Sequence, residues 1–223
     1  MELFEAIKGR RSIGKVKNEP IPDELIHKII EAGTWAPCHH RTEPWKFFVL
    51  KEDGRKILSD VLVDILKSEL DDFESEESKK RLEKVSKNPY RAPAILVTAV
   101  EPVKNEKVLI EEEYAAVHAA TQNILLAAHA LGLGAVWRTG KQCHDKRMSK
   151  AFNLSEDGAV TGFIYIGYPD MNPKEEGICD KCGAELVKRV DDNAETYIDR
   201  YNTYIKKTAP LIDYYDKQGV VYH

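Results

Sequence analysis

The feature that most constrains the fold is a long helix-forming run, EEEYAAVHAATQNILLAAHALGLG, from Glu111 to Gly134. It is the longest helical signal in the chain, and its alanines allow neighbouring helices to approach closely. Apolar residues lie on almost every side of the helix that it predicts, and such a helix is normally buried. We therefore expect this helix to lie deep in the fold.

Shorter signals before and after the long helix predict a mixture of helices and strands. Apolar periodicity and capping residues indicate the helices, and residues that favour β structure indicate the strands. In chain order we predict helices over Glu2–Ile7 and 22–33, a strand over 46–50, a solvated helical region over 55–85, and strands over 94–100, 135–140 and 161–167. No Rossmann glycine pattern follows any strand.

Length and charge exclude several classes of protein. The chain has 223 residues, enough for one compact domain with or without an appendage. A net charge of -4 gives no reason to expect a nucleic acid or an anionic membrane as partner. No apolar run approaches the roughly 20 residues of a membrane helix, and the N-terminus lacks an apolar signal region. We expect a cytoplasmic protein.

The composition changes after Pro169. DMNPKEEG reads as a linker, and the residues beyond it are polar and rich in tyrosine. We predict a domain over 1–170 and a C-terminal extension over 171–223. Of the four cysteines, only Cys179 and Cys182 have the spacing of metal ligands, and a structural zinc site needs four. We therefore predict no metal site.

Three separated motifs contain candidate binding residues. GRRSIGK places Arg10, Arg11 and Ser12 together, which makes either an anion cradle or a solvent-facing basic turn. WAPCHHRTEPWKFF, over 35–48, either stacks on a planar cofactor or is a rigid loop packed under a sheet. In GLGAVWRTGK, over 132–141, the glycines allow a close backbone approach, and Arg138 and Thr139 could hold a phosphate.

Together the three motifs resemble the nitroreductase family of FMN-dependent oxidoreductases. The shared layout is an opening helix before Arg-Arg-Ser, a Trp-Ala-Pro…Pro-Trp-x-Phe loop, and an alanine-rich helix leading into Gly-x-Gly-x-x-Trp-Arg-x-Gly. The resemblance covers about residues 1–170. It implies an α+β sandwich with a mainly antiparallel central sheet flanked by helices, built as an intertwined homodimer, here with a helical C-terminal tail.

The resemblance also implies a site. Two FMN pockets lie at the interface of the homodimer, and the positions that match FMN contacts are Arg10, Arg11, Ser12, Trp35, His39, Trp137, Arg138 and Thr139. His39 matches a position that reaches the FMN of the other subunit. Cys38, Arg41 and Glu43 depart from the residues of many members, which changes hydrogen bonding near the pocket.

The implied activity is hydride transfer from NAD(P)H through FMN to nitro compounds, quinones or similar small-molecule acceptors, in a ping-pong cycle. The flavin carries the chemistry, so we predict no catalytic side chain. Two alternatives stay open: a flavin- or nucleotide-binding sensor with little turnover, and an assembly linked by zinc at Cys179 and Cys182.

The C-terminal segment, about 178–219, resembles the distal adenylate kinase lid and the helix after it. Arg189 and Arg200 match residues that contact nucleotide phosphates in those kinases, and we predict a helix near 192–216. The first cysteine pair of the lid and the P-loop are absent from this chain. Phosphoryl transfer is not expected, because nothing cradles the phosphates.

Overall fold

The computed structural model describes residues 1–171 and, beyond them, Thr196, Ile198, Asp199, Asn202 and Lys206, which are helical. The chain is divided into two compact units, Met1–Pro173 and Lys174–His223. The predictions for Cys179, Cys182, Arg189 and Arg200 lie outside the described residues, as does most of the predicted helix over 192–216.

The first unit contains six α-helices and four strands. The helices are α1 Leu3–Gly9, α2 Asp23–Thr34, α3 Arg55–Ser68, α4 Glu76–Lys87, α5 Ile110–Ala130 and α6 Lys146–Ala151. The strands are β1 Trp45–Lys51, β2 Ala94–Val100, β3 Gly134–Arg138 and β4 Ala159–Gly167. In the part of the chain that the structure describes, no helix is long and apolar enough to cross a membrane.

All four strands form one antiparallel sheet in the order β1-β2-β4-β3. β2 is buried along its whole length because it lies between β1 and β4 and has helices on both faces. The predicted α+β class and antiparallel central sheet are confirmed.

Helices cover both faces of the sheet, which makes the fold a sandwich. On one face Ile95 and Val97 pack with Leu58 of α3 and Met148 of α6. On the other face Leu96 packs with residues of α2 and α5, among them Ile29 and Ile124. The alternation of β2 side chains between two apolar layers explains its continuous run of β-forming residues.

The long helix ends earlier than the sequence predicts and is buried on one face. α5 ends at Ala130, and a turn with a positive φ of 77° at Gly132 leads into β3, so Gly134 belongs to a strand. Its inner face is fully buried, whereas Ala115, His118 and Gln122 are exposed. In the single chain the burial of α5 is therefore confined to one face, although apolar residues lie on almost every side of the helix.

The mixed-charge region 55–85 is helical, as predicted, and consists of two helices. α3 ends at Ser68 and α4 begins at Glu76. The outer surface of both helices is solvated, yet α3 buries Leu58 and Ile65 against the sheet. The mixed charge of the sequence did not indicate that α3 has a buried apolar face.

Candidate functional site

The Arg-Arg-Ser motif lies beside β3. Ser12 forms a parallel bridge with Ala135, and the Ile13 N–H donates to the Ala135 carbonyl at 2.9 Å. The approach requires a glycine at position 134, since a Cβ there would lie 2.7 Å from Cγ2 of Ile13. Two motifs more than 120 residues apart in sequence are thereby brought together.

The two arginines of this motif have no carboxylate partners within residues 1–171. Nη1 of Arg11 donates to the carbonyls of Lys8 at 2.5 Å and of Arg10 at 3.0 Å. Within residues 1–171, neither Arg10 nor Arg11 forms an ion pair. Both charges are therefore available to an anionic ligand, and guanidinium groups bind phosphate well.

Trp137 and Arg138 occupy opposite faces of β3, as consecutive strand residues must. The Trp137 indole lies 5.7 Å from the His118 ring, and its Nε1 is buried without a hydrogen-bond partner among the described residues. The Arg138 guanidinium lies 5.1 Å from the centre of the Tyr165 ring, and its Nε is likewise buried and unpartnered within that part of the chain. Buried donors of this kind are rare and indicate missing acceptors.

Arg138 and Thr139 line a cavity of about 480 Å³ between the sheet and helices α3 and α4. Arg91 and Lys141 also line it, with a single carboxylate from Glu69. Burial raises the pKa of the Tyr165 hydroxyl, an effect that Arg138 and Arg91 partly offset. The excess of positive charge favours an anion.

Sequence reasoning missed part of this cavity lining. Lys141 closes the GLGAVWRTGK motif but was not singled out, whereas Arg91 precedes β2 in a segment with no motif. Cys143, in the turn after the motif, is no nucleophile, since burial raises the pKa of its thiol to about 11.

The His39 loop, defined here as residues 38–43, has a strained backbone. His40, Arg41 and Glu43 have positive φ values of 54°, 55° and 48°, a region that residues with a Cβ rarely adopt. The His39 ring stacks on that of His40, with 4.0 Å between ring centres. Its Nδ1 lies 2.5 Å from a carboxylate oxygen of Glu112, at the start of α5.

Trp35 ends α2 and is 80% exposed, so it does not pack under the sheet. The neighbouring apolar residues Ala36 and Trp45, by contrast, are buried against α5. The proline-flanked segment therefore packs into the core through Ala36 and Trp45 and leaves Trp35 exposed to solvent.

The candidate residues form two groups within one chain. Arg10, Arg11 and Ser12 follow Gly9, where a Cβ would lie 3.2 Å from Nε2 of His129 near the C-terminal end of α5. His39 contacts Glu112 at the opposite end of that helix. A rise of 1.5 Å per residue separates these two points of α5 by about 25 Å.

Large apolar side chains are exposed on α1. Leu3, Phe4 and Ile7 are 62%, 72% and 49% exposed. Exposed apolar side chains that lie together on one short helix are typical of an interaction surface. No group of three or more metal-binding side chains is found among the described residues.

Comparison with known proteins places these features in context. A family model described as Nitroreductase family matches residues 7–168. The relative named "Putative NAD(P)H nitroreductase YfhC", from Bacillus subtilis (strain 168), is 33% identical over 173 residues, which cover 77% of this chain and 87% of the relative.

Solved structures agree with that match. A nitroreductase-like family protein from Bacillus cereus superposes with a TM-score of 0.68 at 28% identity, covering 80% of this chain and 91% of the other. A Desulfovibrio desulfuricans structure, described as a complex with FMN, has a TM-score of 0.58 at 28% identity and covers 78% and 90% of the two chains.

A second family model, described as Adenylate kinase, active site lid, matches residues 161–191. The adenylate kinase of Archaeoglobus fulgidus is 46% identical over 77 residues, which are 34% of this chain and 33% of that enzyme. The lid match begins within β4, a strand that the first family match also includes.

Proposed function

The chain belongs to the nitroreductase family over residues 7–168, and from this premise we propose that it is an FMN-dependent NAD(P)H oxidoreductase. Its acceptors are nitro compounds, quinones or similar small molecules. The pairing of the Arg-Arg-Ser segment with β3 carries the proposal, because it joins cations without a carboxylate partner to buried donors without a hydrogen-bond partner, among the residues that the structure describes.

FMN fits the donor set on both sides of this pairing. Its phosphate is a dianion, which suits the uncompensated charges of Arg10, Arg11 and Arg138 and the hydroxyls of Ser12 and Thr139. Trp137 adds an N–H donor whose buried Nε1 has no acceptor among the described residues.

We propose that the site is completed by a second copy of the chain. His39 contacts one end of α5 and the Arg-Arg-Ser motif follows Gly9 near the other end, about 25 Å away along the helix, which favours a site shared by two copies over one formed within a single chain. A homodimer would bring Trp35 and His39 of one copy to the Arg-Arg-Ser motif of the other. The exposed apolar side chains of α1 support such an interface.

When bound, FMN would supply the redox chemistry, taking a hydride from NAD(P)H and passing electrons to the acceptor in a ping-pong cycle. The chain's own residues bind and orient. Arg10, Arg11 and Arg138 would hold the anionic phosphate end of the FMN. We assign no side chain to proton transfer.

We also propose that residues 1–170 form the flavin domain and that 171–223 are an extension outside this chemistry. The lid similarity brings no phosphoryl transfer, because the chain has no phosphate-cradling P-loop. A cytoplasmic location is part of the proposal, and the free thiols of Cys38 and Cys143 suit a reducing compartment.

The visible spectrum of the FMN-reconstituted protein tests the function. Addition of NADPH without oxygen should bleach the flavin bands, and a quinone or nitroaromatic should restore them. Flavin that binds but stays oxidised under both NADH and NADPH would instead favour a sensor. A chain that takes up no FMN would overturn the proposal.

A further inference from the structure

Two neighbouring carboxylates at the start of α5 hold the His39 loop. Glu112 contacts Nδ1 of His39 at 2.5 Å. Glu113 accepts a hydrogen bond from the Thr42 hydroxyl at 2.5 Å and another from the Val103 N–H at 3.2 Å. The first turn of α5 therefore contacts two side chains of this loop, the His39 ring and the Thr42 hydroxyl, and Glu113 also ties the loop to the segment of Val103.

The Glu113 contact is unusual because the carboxylate is buried. Glu113 is 1% exposed, and no cationic side chain pairs with it within the described part of the chain. Burying an unpaired carboxylate is costly, even when hydrogen bonds satisfy part of it. A neutral side chain could hold the His39 loop in place without the cost of burying a charge. The buried carboxylate therefore indicates that the position of the loop has a functional role.

The loop that it holds is itself strained. Three non-glycine residues in the left-handed region each raise the free energy of the backbone, and such strain persists only where surrounding contacts enforce it. The strained backbone of the His39 loop and the buried carboxylate that contacts it both indicate that the conformation of this loop serves a function.

We propose that Glu112 and Glu113 are positioning residues for His39, an inference that rests on the proposed function. Glu113 fixes the path of the loop through Thr42, and Glu112 fixes the imidazole. A carboxylate only accepts hydrogen bonds, so Nδ1 of the neutral ring carries the proton and Nε2 is left as an acceptor. His39 thereby offers an acceptor to a hydroxyl or N–H of the FMN bound by the other copy.

The tautomer of His39 gives the first test. We expect the ring ¹⁵N shifts of the wild type to report a proton on Nδ1. Glu112→Ala should move the proton to Nε2, the form that an unpaired imidazole prefers. Glu111→Ala is the matched control, because Glu111 lies in the same helical turn with the same charge and makes no recorded contact in residues 1–171.

The affinity of the apoprotein for FMN gives the second test, read by quenching of flavin fluorescence. Glu112→Ala and Thr42→Val should each weaken binding by up to about tenfold, the scale of one hydrogen bond between neutral groups. Thr42→Ser keeps the hydroxyl and should bind as the wild type does, as should Glu111→Ala. Circular dichroism verifies that each variant is folded.

The two tests separate the inference from the function on which it rests. If Glu112→Ala keeps both the wild-type tautomer and the FMN affinity of Glu111→Ala, the positioning role is wrong and the flavin enzyme stands. If the wild type binds no FMN, the proposed function fails and takes the positioning role with it. If Thr42→Val does not fold, the Glu112→Ala variant still tests the inference, because the Glu112 side chain is half-exposed.

Discussion

At the scale of single residues, the proposed binding of FMN uses arginine charges that form no ion pair with a carboxylate in residues 1–171. Arg10 is the clearest case, because it follows directly on α1 and forms no ion pair in residues 1–171. The motif could be recognised from its sequence. The sequence could not show that the charge of Arg10 lacks an acidic partner in residues 1–171, since any of the 37 acidic residues of the chain might have paired with it.

Replacing Arg10 by Ala should weaken FMN binding by about 1.5 to 3 kcal/mol, because a hydrogen bond to a charged phosphate is lost. The dissociation constant of FMN, measured by fluorescence titration of the apoprotein, checks this. Arg81→Ala, which removes an exposed arginine from α4, is the control and should leave the affinity unchanged. An Arg10→Ala protein that retained flavin as the control does would remove Arg10 from the site.

At the scale of elements, the site depends on the contact between the N-terminal segment and β3. Gly134→Ala should disrupt it, because the added methyl would lie 2.7 Å from Cγ2 of Ile13 and push the segment away. Overpacking of this kind typically costs about 1 to 3 kcal/mol. We expect a lower unfolding free energy in urea and weaker FMN binding.

Gly14→Ala is the matched control for that variant. A Cβ at Gly14 would meet nothing within 4 Å, so stability and FMN affinity should stay close to those of the wild type. Equal behaviour of the two alanine variants would show that the close approach of Ile13 to β3 has no bearing on the site.

The short helix α6 depends on its cap. The Asp145 carboxylate accepts from the N–H and the side chain of Arg147, and the hydrogen bond to that side chain lowers the pKa of Asp145 to about 2. Because the pKa is lowered on folding, this stabilisation is complete above about pH 4, the unfolded value, and disappears as the pH falls towards 2.

Asp145→Ala should therefore lower the unfolding free energy at pH 7 by about 1 kcal/mol, the usual cost of losing a helix cap. Urea denaturation at pH 7 and at pH 3 checks this, and the difference from the wild type should shrink at the lower pH. Asp71→Ala, at an exposed position, should show no such pH dependence. A deficit that is equal at both pH values would contradict the linkage.

At the scale of the whole molecule, the proposed site is shared between two copies of the chain. Within one chain the two groups of candidate residues lie near opposite ends of α5, and the two points of the helix are about 25 Å apart. We propose that the apolar residues exposed on α1 form the interface between the copies.

Phe4→Lys should separate the proposed homodimer, because it buries a charge in an apolar interface. Light scattering after size-exclusion chromatography should show a smaller particle, and the same variant should lose FMN although no FMN-binding residue has changed. Ile57→Lys, on α3, places a lysine at another exposed apolar position and should affect neither. A monomeric wild type with full FMN binding would overturn the shared site.

Much of the local structure was predictable. β2 occupies the predicted residues 94–100, and α2, Asp23–Thr34, lies within one residue of the predicted 22–33 at each end, because apolar periodicity and helix-capping residues act within a few positions. The end of α5 was placed four residues too late because leucine continues the apolar pattern beyond Ala130, whereas Gly132 turns the backbone.

The sequence by itself determined the elements, the three motifs and the family resemblance, since each depends on residues close together in the chain. The tertiary structure alone decided the strand order and the pairing of Ser12 with Ala135. It also decided the burial of Glu113 beside the His39 loop and the separation of the two groups of candidate residues along α5. The physical reason is the same in every case. These features arise from contacts between residues far apart in sequence, and no local pattern records which distant partner a side chain will meet.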